Sequence, residues 1–385
     1  MRKFPASRSC RLSIASRFVM LEQQGMNMMS LQQNHKCMYR LWIELIGKLC
    51  KAEPMAIALL ALFIAQPVTA LEQVDDFGEN PGNLQMFLHR PAAFRQNLPL
   101  LVALHGCRQR AADFDNETGL TALAQQIPFL LLLPQQRETN MARACFRWYD
   151  TDDNLPGRGE SASILAMIDN AIDNEGVNPA RVYVLGLSAG GAMTAVLLSN
   201  YPDRFAGGAI FAGLPYGCNR SAGFSDFTWN WLHYSPLALD GADASYACGI
   251  AGFRAGDRDG KAWSNYVRKS ADSLPESWPL LSLWQGTDDS TVDPDNLDEL
   301  TKQWTSVQGI DTLADDEEVL SDATRKVYKD EAGNPRVETW LLKGFGHAVP
   351  IDVDSDVGEC GEAGGYVSDA SVCAVRRVAE FWGLR

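Results

Sequence analysis

The chain has 385 residues, of which 48 are acidic and 34 basic, a formal net charge of −14. That excess makes nucleic acid and anionic lipid poor partners and favours a soluble protein acting on a neutral substrate. With 46% hydrophobic residues, the length suffices for one large domain with a sizeable core.

Residues 1–51 scatter Met, Gln, Arg and Lys without a lasting period, and residues 55–65 (MAIALLALFIA) form an unbroken apolar run. Lys48 and Lys51 before it and QPVTA after it describe a secretory signal cleaved after Ala70. The run is short for a bilayer span, and a single N-terminal anchor is the alternative. The basic region ahead of it is long, which makes a later methionine such as Met38 a candidate start. Removing 1–70 leaves a catalytic-sized domain over 71–385 with 25 basic and 45 acidic residues, a net charge near −20.

In that domain apolar runs of strand length alternate with helical patterns. Residues 98–104 (LPLLVAL) predict a buried strand, 111–126 a helix, and 129–133 (FLLLL) a second strand. A helix over 161–174 follows, with Ile164, Leu165, Ile168 and Ile172 on one face. Residues 181–187 (RVYVLGL) predict a strand, 191–205 a helix with Met193, Val196, Leu197 and Tyr201 at helical spacing, and 208–212 (GAIFA) a further strand. This alternation predicts an α/β fold, a mainly parallel doubly wound sheet with helices on both faces. It stops at Gly213. Residues 219–279 are rich in Gly, Ser, Asp and aromatics (Phe224, Phe227, Trp229, Trp231, Tyr234, Trp263), and predict an irregular, lid-like insertion. Strand character returns at 280–284 (LLSLW), then a helix at 296–308, a hairpin around Ala332-Gly333-Asn334, a strand at 336–342 and a closing helix at 371–382.

The run GLSAGG, residues 186–191, sets Ser188 on the corner of a strand-turn-helix unit, boxed in by residues with almost no side chain. The pattern Gly186-x-Ser188-x-Gly190 is that of a nucleophile elbow, although a Gly-rich strand-to-helix turn gives the same letters. A serine hydroxyl needs a base, and histidine is the usual one. Five histidines are available: His35, His89, His105, His233 and His347. His347, in GFGHA directly after a predicted strand, stands where a mobile imidazole would be carried. The acid should lie between serine and histidine in sequence, and WQGTDD with Asp293 close behind leaves Asp288, Asp289 and Asp293 open. Oxyanion donors are expected from the backbone N–H of Ala189 and from the loop His105-Gly106-Cys107 after the first core strand.

Six cysteines follow Ala70: Cys107, Cys145, Cys218, Cys248, Cys360 and Cys373. An even number in an exported chain predicts disulfides, with nearest-neighbour pairing the simplest arrangement and Cys107–Cys145 bracing the oxyanion loop. No CxxC or HExxH spacing occurs, so no metal is expected. The acidic stretch 150–154 (DTDDN) lacks the glycine and distal glutamate of a calcium loop and is expected to be a solvated loop.

Together these residues resemble the extracellular poly(3-hydroxybutyrate) depolymerase-like esterases, relatives of feruloyl and acetylxylan esterases within the α/β-hydrolases. The resemblance runs through FGENPGNL (77–84), LVALHGCRQ (101–109), CFRWY (145–149), RGE (158–160), GLSAGGAM (186–193), GLPYGC (213–218), WQGTDDSTV (284–292), GFGHAVP (344–350) and residues 366–382. It implies Ser188 as nucleophile and His347 as base. The family pattern G-x-x-D-x-x-V on Gly286, Asp289 and Val292 implies Asp289 as the acid. Cys107 and Ala189 would supply the oxyanion N–H groups, and Trp148, with Tyr149 and His105, would line the substrate cleft. Gln285 departs from the family's usual histidine, and the spacing from Cys218 to Cys248 is longer than usual. The implied activity is a secreted serine carboxylesterase acting on hydroxyalkanoate polyesters or oligomers. Feruloyl or acetylxylan ester hydrolysis is the alternative, and an inactive carbohydrate- or surface-binding relative is a rival of another class. No cofactor is expected. The expected partner is a small or polymeric ester bound by a monomer, with no nucleic acid and no membrane once the signal is removed. No substrate-binding domain or Thr-rich linker follows residue 385, so weak binding to solid polymer granules is expected.

Overall fold

The computed structural model describes residues 71–219, 242–355 and 360–384. The signal-like run, His35, His233 and the aromatic residues Phe224, Phe227, Trp229, Trp231 and Tyr234 lie outside the described residues.

The strands and helices follow the sequence pattern closely. In chain order they are β1 (Glu72–Val74), β2 (Gln85–His89), β3 (Leu100–Leu104), α1 (Ala111–Thr118), α2 (Leu120–Gln126), β4 (Leu130–Gln135), α3 (Gly159–Glu175), β5 (Val182–Leu187), α4 (Ala189–Asn200) and β6 (Gly207–Phe211). Then come α5 (Ala242–Ala247), α6 (Gly260–Ser270), β7 (Leu280–Gly286), α7 (Asn296–Gln308), β8 (Asp316–Val319), β9 (Ala323–Lys329), β10 (Pro335–Leu342), β11 (Val349–Ile351), β12 (Val367–Asp369) and α8 (Ala374–Phe381). One helix was expected over 111–126; Gly119, at φ 71°, breaks it into α1 and α2.

Ten strands form one sheet in the order β1-β2-β4-β3-β5-β6-β7-β10-β9-β8. The central six, β4 to β10 in that order, are parallel, and antiparallel strands close both edges. Side chains alternate across the sheet, so each central strand feeds two cores. Leu100, Val102 and Leu104 of β3 pack with Ile164 and Met167 of α3 and Met193 and Val196 of α4. Leu101 and Ala103, pointing the other way, pack with Phe114 of α1, Leu120 of α2 and Val375 of α8. This two-sided burial is why the strands read as continuous apolar runs. Trp284 of β7 and Trp340 of β10 are register partners whose rings stack 4.5 Å apart, fixing these two strands side by side.

Two segments differ from expectation. Within 219–279, residues 260–270 are a regular helix bound into the body: Trp263 is buried and donates its Nε1–H to Glu299 of α7 at 2.7 Å, and Val267 enters the main core. The stretch 150–154 is not a solvated loop, since Asp153 and Asn154 are buried. Asp153 faces Arg147 at 2.9 Å and accepts the Glu160 N–H, and the Asn154 amide bonds the Trp148 carbonyl.

Three disulfides, Cys107–Cys145, Cys218–Cys248 and Cys360–Cys373, follow nearest-neighbour pairing and mark a chain that folds in an oxidising, extracytoplasmic environment. Among the described residues no helix is long and apolar enough to cross a membrane.

Candidate active site

Parallel sheets present their ligand sites beyond the carboxyl ends of the strands. Four neighbouring loops meet there, after β3, β5, β7 and β10, and they carry Cys107, Ser188, Asp289 and His347.

Ser188 joins β5 to α4 with φ 57° and ψ −118°, a conformation that costs an L residue about 1–3 kcal/mol and is held only by its surroundings. Its N–H donates to the Phe211 carbonyl at 2.9 Å, and its carbonyl accepts the Ala192 N–H at 2.8 Å. A side chain at Gly186 would run into the Gly190 backbone, and one at Gly190 into the carbonyls of Leu104 and His105. These collisions explain the space cleared around the serine: helix, elbow and neighbouring strand can touch only without them.

His347 sits between β10 and β11, with the ring edge-on to Tyr366. Its Nδ1 lies 2.7 Å from Asp289 Oδ2, and the two side chains are 9% and 0% exposed. A carboxylate can only accept, so the ring donates from Nδ1 and keeps the Nε2 lone pair. Of the three candidate carboxylates, Asp289 is the one bonded to His347. Asp288 is exposed and accepts the Thr287 hydroxyl, while Asp293 accepts the Asp295 N–H. Asp289 is held by four donors: Oδ1 accepts the N–H of Thr291 and Val292 at 2.8 and 2.9 Å, and Oδ2 also accepts Gln285 Nε2 at 3.0 Å. Burial pushes its carboxyl upward, but the hydrogen bond and charge of His347 with the two N–H groups outweigh this and hold it below the usual carboxylate range. Gln285 is thus tied to the acid it precedes; its Oε1 is buried without a hydrogen-bond partner.

His105 corrects the sequence-based expectation. It does not border the cleft; it is fully buried beneath the loop that carries Cys107. Its Nε2 accepts the Gln136 backbone N–H at 3.1 Å, so the proton is on Nδ1 and is donated to the Gly106 carbonyl at 2.7 Å. Burial lowers its pKa to about 4, keeping the ring neutral. Because the peptide is trans and planar, turning the Gly106 carbonyl toward His105 turns the Cys107 N–H the opposite way. Gln109 Oε1 accepts the Gly106 N–H at 2.9 Å, and the Cys107–Cys145 bridge ties the loop outward. The Ala189 N–H opens α4, in the turn whose amides lack intrahelical acceptors.

These loops surround a cleft of about 640 Å³ bordered by Cys107, Ser188, Ala189 and His347. Trp148 and Tyr149, edge to face with ring centroids 5.4 Å apart, form one wall. Met141, Leu214, Ile250 and Val292 add apolar surface. Ser188 and His347 share the cleft without a hydrogen bond between their side chains, as is common before substrate arrives. Glu160 was noticed only as part of a motif, and its part was missed. It underpins the cleft wall, accepting the Arg147 N–H at 2.7 Å and the Gln136 amide. No local pattern signals this, because the partners Gln136 and Arg147 come from two other segments of the chain.

A strained serine and a carboxylate-bound histidine border one cleft beside Cys107 and Ala189, an arrangement suited to acyl transfer. Comparison with known proteins agrees and is more specific. Residues 84–247 match the family model for esterase PHB depolymerase. Poly(3-hydroxyalkanoate) depolymerase C of Paucimonas lemoignei is 38% identical over 82% of this chain and 71% of its own length. Feruloyl esterase B of Talaromyces funiculosus is 30% identical over 78% of this chain and 80% of its length. Among solved structures, acetyl xylan esterase from Aspergillus awamori superposes with a TM-score of 0.64 at 22% identity, covering 82% of this chain and all of that one, and so shares the α/β-hydrolase fold. The chain belongs to the esterase PHB depolymerase family and is a carboxylic ester hydrolase.

Proposed function

We propose that Ser188 attacks an ester carbonyl while His347 Nε2 takes its proton, with Asp289 aligning the ring and stabilising the imidazolium. The oxyanion is received by the N–H groups of Cys107 and Ala189. His347 then protonates the leaving alcohol, and water, activated by the same imidazole, releases the acid and frees Ser188. The observation that carries this reading is one cleft bordered by the strained Ser188 and by His347, itself bonded to the buried Asp289. The substrates are hydroxyalkanoate polyesters or their oligomers, supported by the likeness to a poly(3-hydroxyalkanoate) depolymerase and by the apolar cleft walls. Secretion after cleavage following Ala70 is consistent with the disulfides.

A second substrate reading, feruloyl esters, is favoured by the Trp148–Tyr149 pair, which could stack on an aromatic acyl group. Monomer release from a 3-hydroxybutyrate trimer set against hydrolysis of methyl ferulate separates the two. Ser188→Ala is expected to lower kcat on p-nitrophenyl butyrate by about 10⁴-fold or more and to abolish labelling by a fluorophosphonate; retained labelling would refute the assignment.

A further inference from the structure

The cleft carries a charge opposite to that of the chain. Although acidic residues outnumber basic ones 48 to 34, no Asp or Glu borders the cleft among the described residues, whereas Arg108 and Arg143 both do. The fold sets these arginines side by side. The Arg108 N–H donates to the Arg143 carbonyl at 2.7 Å, and the Cys107–Cys145 disulfide binds the two loops together. Both side chains are exposed, and neither guanidinium has an ion-pair or hydrogen-bond partner among the described residues. Nearby Arg147 differs: it is held by Asp150 and Asp153. Two arginines whose guanidinium groups have no partner among the described residues therefore border the cleft together with Cys107, which carries the N–H assigned to the oxyanion.

Guanidinium groups favour carboxylates, which they bind through paired N–H donors. The net negative charge of the protein does not forbid a small anion here, because charges farther than about 8–10 Å away are largely screened at physiological ionic strength. A polyanion would meet the whole acidic surface and is disfavoured. We propose that Arg108 and Arg143 form a subsite for the free carboxylate at the acid end of a hydroxyacid oligomer, so that the enzyme cleaves the ester next to that end. This rests on the Ser188 reading above and narrows its substrate. Ser188 Oγ bonds to the acyl carbon of the last ester, the acyl C–O bond breaks, and the leaving oxygen takes the proton from His347. The terminal hydroxyacid departs with its carboxylate from between the arginines, and one water then cleaves the shortened acyl-enzyme.

The test compares kcat/KM on the linear dimer of 3-hydroxybutyrate as the free acid and as its neutral primary amide. The wild-type enzyme should prefer the acid, and the acid-to-amide ratio should fall about tenfold in the double variant Arg108→Gln, Arg143→Gln. About 0.5 M NaCl should narrow the wild-type ratio. Arg108→Lys with Arg143→Lys, which keeps the charge but not the paired donors, should recover only part of the ratio, while Arg95→Gln, an exposed charge on the loop before β3, should leave it unchanged. The single variant Arg143→Gln, read with its melting temperature, guards against any effect of substitution at Arg108, whose φ is 65°. A ratio unchanged in the double variant, with both dimers cleaved, would remove the subsite and leave the Ser188 reading intact. Hydrolysis of p-nitrophenyl butyrate but of neither dimer would overturn the hydroxyacid substrate and the subsite with it. Inactivity on all three would overturn the hydroxyacid substrate and the subsite together, and hydrolysis of methyl ferulate by the same preparation would show the Ser188 reading to stand.

Discussion

At the scale of single residues the site is a problem of keeping an ionised carboxylate buried and aimed. Asp289 meets that with four donors, of which one is the imidazole it serves. Asp289→Asn removes the charge and lets the amide present N–H to Nδ1, forcing the wrong ring tautomer; kcat should fall by about 10⁴-fold with the fold intact, checked by ester kinetics beside circular dichroism. Gln285→Leu removes only one of the four donors. Its expected cost is about tenfold in kcat with KM unchanged, and an equal loss in KM would instead place Gln285 in substrate binding. Ser188 and His347 could be singled out in sequence because the elbow and the histidine loop carry local glycine patterns in a fixed order, whereas spacing left Asp288, Asp289 and Asp293 open and only the family resemblance pointed to Asp289. Arg143 was not legible. It meets Arg108 only after the chain has travelled through α1, α2 and β4 and returned, and nothing in the residues around it marks that meeting.

At the scale of elements, β-α-β alternation could be read because strands buried on both faces leave uninterrupted apolar runs. What escaped was mostly short or exposed: β1 has three residues, β8 is exposed throughout, and β11 and β12 have three each, although β2, five residues long and largely buried, escaped as well. The loop after β3 teaches a different lesson, since His105 was placed in the cleft by its neighbourhood in sequence and lies instead behind the loop as its clasp. His105→Leu releases the Gly106 carbonyl and leaves the Gln136 N–H without its acceptor. Loss of the Cys107 N–H orientation should lower kcat about a hundredfold, with KM little changed. The orphaned N–H should cost about 1–3 kcal/mol in denaturant unfolding. Replacing Cys107 and Cys145 together by serine opens a loop with a sequence separation of 38, worth about 4 kcal/mol by the loop-closure argument. If the clasp dominates, that double variant loses stability while keeping more kcat than His105→Leu.

At the scale of the whole molecule, two buried titratable groups below the cleft set opposing limits on stability with pH. His105 has its pKa lowered to about 4 in the fold, against an ordinary 6.5. The unfolded chain binds the extra proton between those values, so this contribution is full above 6.5 and is lost as pH falls toward 4. Glu160 does the reverse. Burial first, and then the charge of Asp153, push its carboxyl up to about 8 from an ordinary 4.5, against the opposing hydrogen bonds from Arg147 and Gln136. Here the folded protein binds the extra proton, so the contribution is full below 4.5 and declines as pH rises to about 8. Between 4.5 and 6.5 the two slopes oppose each other, and above 6.5 Glu160 acts without that counterweight. Its slope there approaches the limit of about 1.4 kcal/mol per pH unit for one proton. Stability measured by urea unfolding should therefore decline between pH 6.5 and 8 in the wild type. Glu160→Gln cannot ionise and should flatten that decline, even though its amide serves Arg147 and Gln136 less well and sets a lower plateau. The slope, not the plateau, carries the inference: an unchanged slope in Glu160→Gln would mean that the ionisation straining the protein at alkaline pH lies elsewhere.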